Sequence, residues 1–191
     1  MYEGRLLKAE WEVRPVELVV AEELVRRYHY ARGCSNTATY SHGLFRKGDL
    51  FDWQCQGAAL WIPPTKSAAK ATYPKDWTKV LCLSRLAIAP DVPLNACTFL
   101  ISRSRRLINR SLWPCLVSYA DTWRGHTGGI YLADNWTQVE DTKPEATYTL
   151  NGRMVARKAG PTTRTKGEML EMGAVLEGRF HKHKFVHILE K

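Results

Sequence analysis

The chain has 191 residues, 45% of them hydrophobic and 25% charged, which suits one globular domain with a real core and excludes a disordered polymer. No apolar run approaches the roughly 20 residues of a membrane span, and the opening Met1-Tyr-Glu-Gly-Arg5 lacks the layout of a secretory signal. A net charge of +9 and a pI near 9.4 favour a polyanionic partner, nucleic acid foremost. The five cysteines, Cys34, Cys55, Cys82, Cys97 and Cys115, form no Cys-x-x-Cys pair, so neither a disulfide framework nor a zinc ribbon is expected. Buried thiols in a reducing cytoplasm are the expectation instead.

In chain order, Trp11–Pro15 predicts a first strand. Val16, Val20, Leu24 and Tyr28, with Val19 beside them, predict a helix with one apolar stripe that glycine ends at Gly33. Cys34–Gly43 reads as a polar loop, and Lys47-Gly48-Asp49 as a hairpin turn returning into the strand Gly57–Ile62. The stretch to about Trp77, with Lys66, Lys70 and Lys75, reads as a long basic loop. Val80–Ile88 is nearly all apolar, the profile of a strand buried on both faces, with Arg85 as its anomaly. Leu94, Cys97, Leu100, Ile101, Leu107 and Ile108 mark a helix whose other side carries Arg103, Arg105, Arg106 and Arg110.

A strand over Leu116–Asp121 follows, then a turn with Gly125, Gly128 and Gly129, then a short helix carrying Tyr131. Asn151-Gly152 predicts a hairpin within Thr147–Val155, residues 161–172 a short exposed helix, and Phe185–Leu189 a last strand. Over residues 151–191 nine Lys and Arg face four Glu, so the C-terminal segment concentrates positive charge. The pattern implies an α/β fold with a mixed sheet.

Asp121 stands where α/β proteins place their chemistry, at the carboxyl end of a strand. It reads either as a general base or as a helix N-cap, and Tyr131 either as its partner or as a core aromatic. Arg85 cannot shed its proton and needs an anion in an apolar strand, Asp121 being the natural one. It is then a buried ion pair or a substrate clamp. Tyr28, His29, Tyr30, Tyr40 and His42 offer rings for stacking on an extruded base, and His29 with Asp121 is a possible metal pair. The Arg103–Arg110 face and the run Arg179–Lys184 suit phosphates or plain solvation. Alternation puts Lys182 and Lys184 on one side of a strand and His181 and His183 on the other.

The set Leu83-Ser-Arg85-Leu, Asn95-Ala96, Ser118-Tyr-Ala-Asp121, Gly125-His126-Thr-Gly128, Ile130-Tyr131 and Asn135-Trp136 resembles the Mom family of DNA-modification proteins from Mu-like phages. His29-Tyr30 and Lys182-His183-Lys184-Phe185 fit the same pattern, which spans about residues 11–189. The resemblance implies a single GNAT-like domain, with a mostly antiparallel sheet flanked by helices. It also implies conversion of the adenine exocyclic amine in DNA to an N6-carbamoylmethyl (acetamido) form that blocks restriction, in a phage or prophage setting. The functional positions it implies are His29, Tyr30, Tyr40, Arg85, Asp121 and Tyr131, with a family serine falling near Thr98, and it implies iron.

The loop Ala89–Cys97 departs from ordinary GNAT enzymes. It has no glycine, and Pro90 and Pro93 supply no amide protons for a pyrophosphate. This argues against acetyl-CoA bound in the usual way and leaves the small-molecule donor open. The alternatives are a GNAT-type acetyltransferase acting on a small amine or a protein lysine, and a DNA-binding protein without enzymatic activity.

Overall fold

The computed structural model describes residues 4–159 and 162–189. The first three residues, the first position of the predicted exposed helix, Pro161, and the last two residues of the basic C-terminal segment lie outside them. The chain divides into two compact units. The first takes residues up to Ser118, Gly128–Gln138 and the stretch from Phe185 onward; the second takes Tyr119–Thr127 and Val139–Lys184.

Unit one begins with β1 (Trp11–Pro15), which pairs antiparallel with β2 (Tyr40–Arg46). The strand β2 starts inside the predicted polar loop. It forms there because β1 and β3 (Gly57–Ile62) pair with it from both sides, Tyr40 facing Trp61 and His42 facing Ala59. The Lys47–Asp49 turn is present: Gly48 takes φ 96° and Asp49 N–H donates to Arg46 O at 3.1 Å. β4 (Val80–Ile88) pairs antiparallel with β3, and β5 (Cys115–Asp121) runs parallel to β4.

Between β1 and β2 lies α1 (Leu18–Tyr28). It buries Ala21, Leu24 and Val25 against Val16, Phe45, Ala58, Leu60 and Ala87. The buried stripe is rotated from the predicted one, because Val19 is 64% exposed and Tyr28 points outward. The left-handed residue after the helix is Arg32, φ 47°, rather than Gly33. A second correction concerns the basic loop, which holds a helix, α2 (Lys66–Thr72), capped by the Thr65 hydroxyl accepting from Ala68 N–H. Alternation along β3 sends Ala58 and Leu60 to the α1 side and Trp61 to the other, where α3 (Ala96–Arg106) packs through Phe99, Leu100, Ile101 and Ser104.

β5 ends on Asp121 and leads through a single 3-10 turn, Thr122–Arg124, towards α4 (Gly129–Leu132), which carries Tyr131. β6 (Thr137–Val139) follows. In unit two, β7 (Glu145–Leu150) and β8 (Arg153–Val155) form the predicted hairpin, with Asn151 and Gly152 at φ 52° and 72°. β9 (Lys158–Ala159) pairs with β10 (Thr162–Thr163), and α5 (Lys166–Glu171) lies within the predicted exposed helix. It places Met169 in a small core with Tyr148 and Ala174. β11 (Val175–Phe180) pairs with β7, and β12 (Lys182–Ile188) starts three residues before its predicted start at Phe185.

The main sheet has seven strands in the order β1-β2-β3-β4-β5-β12-β6, and β11-β7-β8 form a second sheet. This is the mixed, mostly antiparallel α/β architecture expected. Among the described residues no helix is long and apolar enough to cross a membrane. All five cysteines are free thiols.

Candidate active site

Within unit one, β4 and the end of α1 bring several predicted residues together. Arg85 finds carbonyl acceptors where a carboxylate was expected: Nε donates to Gly33 O and Nη1 to Ser84 O, each at 2.7 Å. The side chain is half-buried, so two backbone dipoles and water suffice for its charge. The bond to Gly33 ties β4 to the loop that carries His29 and Tyr30. Those two rings stack at 4.4 Å. His29 Nδ1 accepts the Ala31 N–H at 3.1 Å.

Tyr131 is 93% shielded from water and stacks on Phe185 at 4.9 Å. Its hydroxyl meets Ser118 Oγ at 2.9 Å, and Ser118 Oγ meets Leu83 O at 3.0 Å. Ser118 has a single proton, which can go to Leu83 O or to the phenol oxygen, and in the second case the Tyr131 proton is available to a substrate. Burial pushes the Tyr131 phenol up to about 12, with the Ser118 bond lowering it and neighbouring Cys82 and Tyr30 raising it further. At neutral pH Tyr131 can donate a proton or a hydrogen bond, and it cannot serve as a base.

Gly128 precedes α4 at φ 78°, and a Cβ there would lie 2.1 Å from the Phe185 ring. Its task is close packing. For Gly128 the backbone's approach to Phe185 is what the geometry requires.

A buried polar chain that the sequence did not announce runs through the same unit. His42 Nδ1 meets Ser104 Oγ at 2.7 Å, and Trp61 Nε1–H donates to the same hydroxyl at 2.7 Å. Burial lowers the His42 ring to about 4, so the imidazole is neutral and Ser104 donates to it. Trp61 stacks on Trp136 at 6.4 Å, and Trp136 Nε1–H donates to Asp134 Oδ2 at 3.0 Å. Arg105 closes the chain as a forked donor to Asp134, at 2.8 and 3.3 Å. Arg105, read from sequence as a phosphate contact, thus spends its guanidinium inside the protein. Arg103 lies over the Phe99 ring at 5.4 Å and Arg106 is exposed.

Tyr40 lies at the start of β2, where its hydroxyl accepts from Asn109 N–H at 3.4 Å. Thr98 is half-buried in the first turn of α3. The fully buried hydroxyl of that helix is Ser104. A single apolar-looking helix face hides it from a sequence reading.

In unit two, Asp121 is 5% exposed and its Oδ1 accepts the Trp123 N–H at 3.1 Å, while its carbonyl accepts from His126 N–H. The capping role weighed from the sequence is thus real, and the carboxylate is held in a fixed orientation by it. His29 and Asp121, the metal pair considered from sequence, fall in different units. Among the described residues, the His, Cys, Asp or Glu donors that converge closely enough to share an ion are Asp141, His181 and His183, all in unit two. Lys182, between the two histidines, is exposed. Alternation had placed the two imidazoles together, whereas Asp141, 40 residues earlier, left no local signal.

The sequence profile of the Mom protein family matches residues 10–191, nearly the whole chain. The chain belongs to the Mom protein family. Solved structures similar to this Mom-family chain include Arabidopsis thaliana NAA60 in complex with acetyl-CoA, at 12% identity and TM-score 0.57, covering 94% of this chain and 98% of that one. The NatC complex bound to Gag peptide and CoA is similar at 6% identity and TM-score 0.53, covering 95% and 99%. An agmatine N-acetyltransferase follows at 11% identity and TM-score 0.52, covering 94% and 100%. The Mom-family chain thus has the GNAT-related fold that the resemblance implied. No curated protein matches it.

Proposed function

We propose that this chain is a transferase that modifies the exocyclic amine of adenine in double-stranded DNA, giving the N6-carbamoylmethyl (acetamido) form and shielding phage DNA from restriction. The observation that carries this reading is the Mom-family match over residues 10–191. The net charge of +9 supports a polyanionic substrate. The base flips out of the duplex and stacks near His29-Tyr30 and Tyr28, because chemistry at an amine paired within the helix is otherwise out of reach. A bond forms from the amine nitrogen to the carbon of the donated group as that carbon's bond to its carrier breaks; the carrier departs with the electron pair and one amine proton leaves the nitrogen. Asp121 takes or orients that proton. Tyr131, which keeps its own proton at neutral pH, donates a hydrogen bond to the group that develops negative charge. Arg85, clamped by two carbonyls, fixes the loop bearing His29 and Tyr30 and presents its remaining N–H groups to the donor.

A second reading is an acetyltransferase using acetyl-CoA, favoured by the fold shared with a protein solved with that cofactor. The loop Ala89–Cys97 speaks against the usual pyrophosphate cradle, because Pro90 and Pro93 lack amide protons. Calorimetry with acetyl-CoA separates the readings. Tight binding supports the acetyltransferase, and flat heats leave a different donor.

The test of the first reading is a plasmid co-expressed with the chain, then stripped of protein and digested with an endonuclease whose site contains adenine. Resistance that persists on the naked DNA, and is lost with Asp121→Ala, is expected. Resistance that vanishes when protein is removed identifies a DNA-binding protein instead.

A further inference from the structure

Alternation at the start of β12 turns His181 and His183 to the same side, with exposed Lys182 between them. The segment preceding β7 is laced to this point by two bonds. Thr142 N–H donates to Lys182 O at 3.0 Å, and Lys182 N–H donates to Thr142 Oγ1 at 2.9 Å. The lacing places Asp141 against both rings: Oδ2 lies 3.3 Å from His181 Nε2 and 3.0 Å from His183 Nδ1. A third strut comes from the Asp121 turn, where Thr122 Oγ1 donates to His181 O at 2.6 Å.

We propose that Asp141, His181 and His183 bind a divalent first-row transition ion, and that the ion fixes the turn carrying Asp121. Donors bonded to one such ion at about 2.1 Å sit about 3.0–3.4 Å apart, which is the spacing that Asp141 Oδ2 keeps to both imidazoles. All three ligand atoms lie within 4.8 Å of one another. Two imidazoles and one carboxylate are borderline donors suited to such ions, and three protein ligands leave the other positions to water. A plain ion pair explains the arrangement less well. One carboxylate matches one imidazolium, and two protonated rings with centroids 5.1 Å apart would repel each other. A shared ion would take one donor atom from each of the three side chains.

The ion would join three stretches far apart in sequence, at Thr122, Asp141 and His181–His183. Closing loops of that length is where a metal clip adds most to rigidity. The site uses unit-two residues alone and does not rest on the adenine reading.

The experiment is calorimetric titration of the chelator-stripped full chain with zinc chloride at neutral pH, with thermal unfolding run in parallel. One equivalent of zinc is expected, with a higher Tm on loading. Asp141→Asn, His181→Ala and His183→Ala should each weaken binding at least tenfold and remove the Tm rise, while His187→Ala leaves both intact. Asp141→Asn keeps the shape of the side chain and guards against misfolding. The proposal is overturned if folded protein takes up no zinc, if the His181→Ala and His183→Ala chains bind as the parent does, or if His29→Ala alone abolishes binding.

Discussion

Tyr131 holds its proton because the rings of Trp136 and Phe185 and the interior of unit one keep water from the phenolate, whose titration rises to about 12. Replacing it with phenylalanine keeps the ring packing and deletes one hydroxyl. Tyr131→Phe should therefore cost only about 1 kcal/mol of stability, since Ser118 retains its bond to Leu83 O. Adenine modification should fall about 100-fold or more if this hydroxyl is the proton donor. Urea unfolding and nucleoside analysis read the two effects separately, and a variant with full modification removes Tyr131 from the chemistry. His42 gives a pH signature. Its folded ring titrates near 4 against 6.5 in the open chain, so folding favours the neutral form. That stabilisation is complete above about 6.5 and is lost as pH falls towards about 4, on the order of 3 kcal/mol across the window. Urea midpoints measured from pH 7 down to 4 should fall steeply in the parent chain and less so in His42→Gln. Equal slopes would mean the ring is not held neutral by its burial.

At the level of elements, the strand from Leu116, the turn and the short helix carrying Tyr131 were legible because a short apolar run stops at Asp121 and three glycines follow. What the sequence could not reveal was why Gly128 is needed. Gly128→Ala adds a methyl 2.1 Å from the Phe185 ring at a left-handed φ of 78°, which should destabilise by about 2–4 kcal/mol. Gly125→Ala, with nothing within 4 Å of its Cβ, should cost only the backbone strain, about 1 kcal/mol. Equal Tm losses for the two variants would contradict this account. The helix α2 escaped notice because it buries only Ala69 and so carries no apolar stripe, although Thr65 is a good cap. The first residues of β2 escaped because their composition is that of a loop. His42 is buried there only because Ser104, 62 residues away, satisfies it. Polar pairs of long sequence separation leave no periodicity to read. The same holds for Asp141 with His181 and His183.

For the whole molecule, the excess positive charge was legible at once, but which arginines remain exposed to meet a polyanion was not. Arg105 is committed to Asp134, itself 4% exposed. Arg105→Ala should act through stability, leaving a buried carboxylate unpaired at a cost of about 3 kcal/mol. Charge reversal at Arg103 and Arg106 should weaken DNA binding and flatten its dependence on salt, with Tm little changed. Fluorescence anisotropy across a salt series tells the two kinds of arginine apart. The central claim is that adenine in DNA is the acceptor, and mass spectrometry of nucleosides tests it most directly. DNA from cells expressing the chain should yield deoxyadenosine carrying a carbamoylmethyl group on N6, absent from cells expressing Asp121→Ala. Unmodified deoxyadenosine throughout, with folded protein present, would contradict the account.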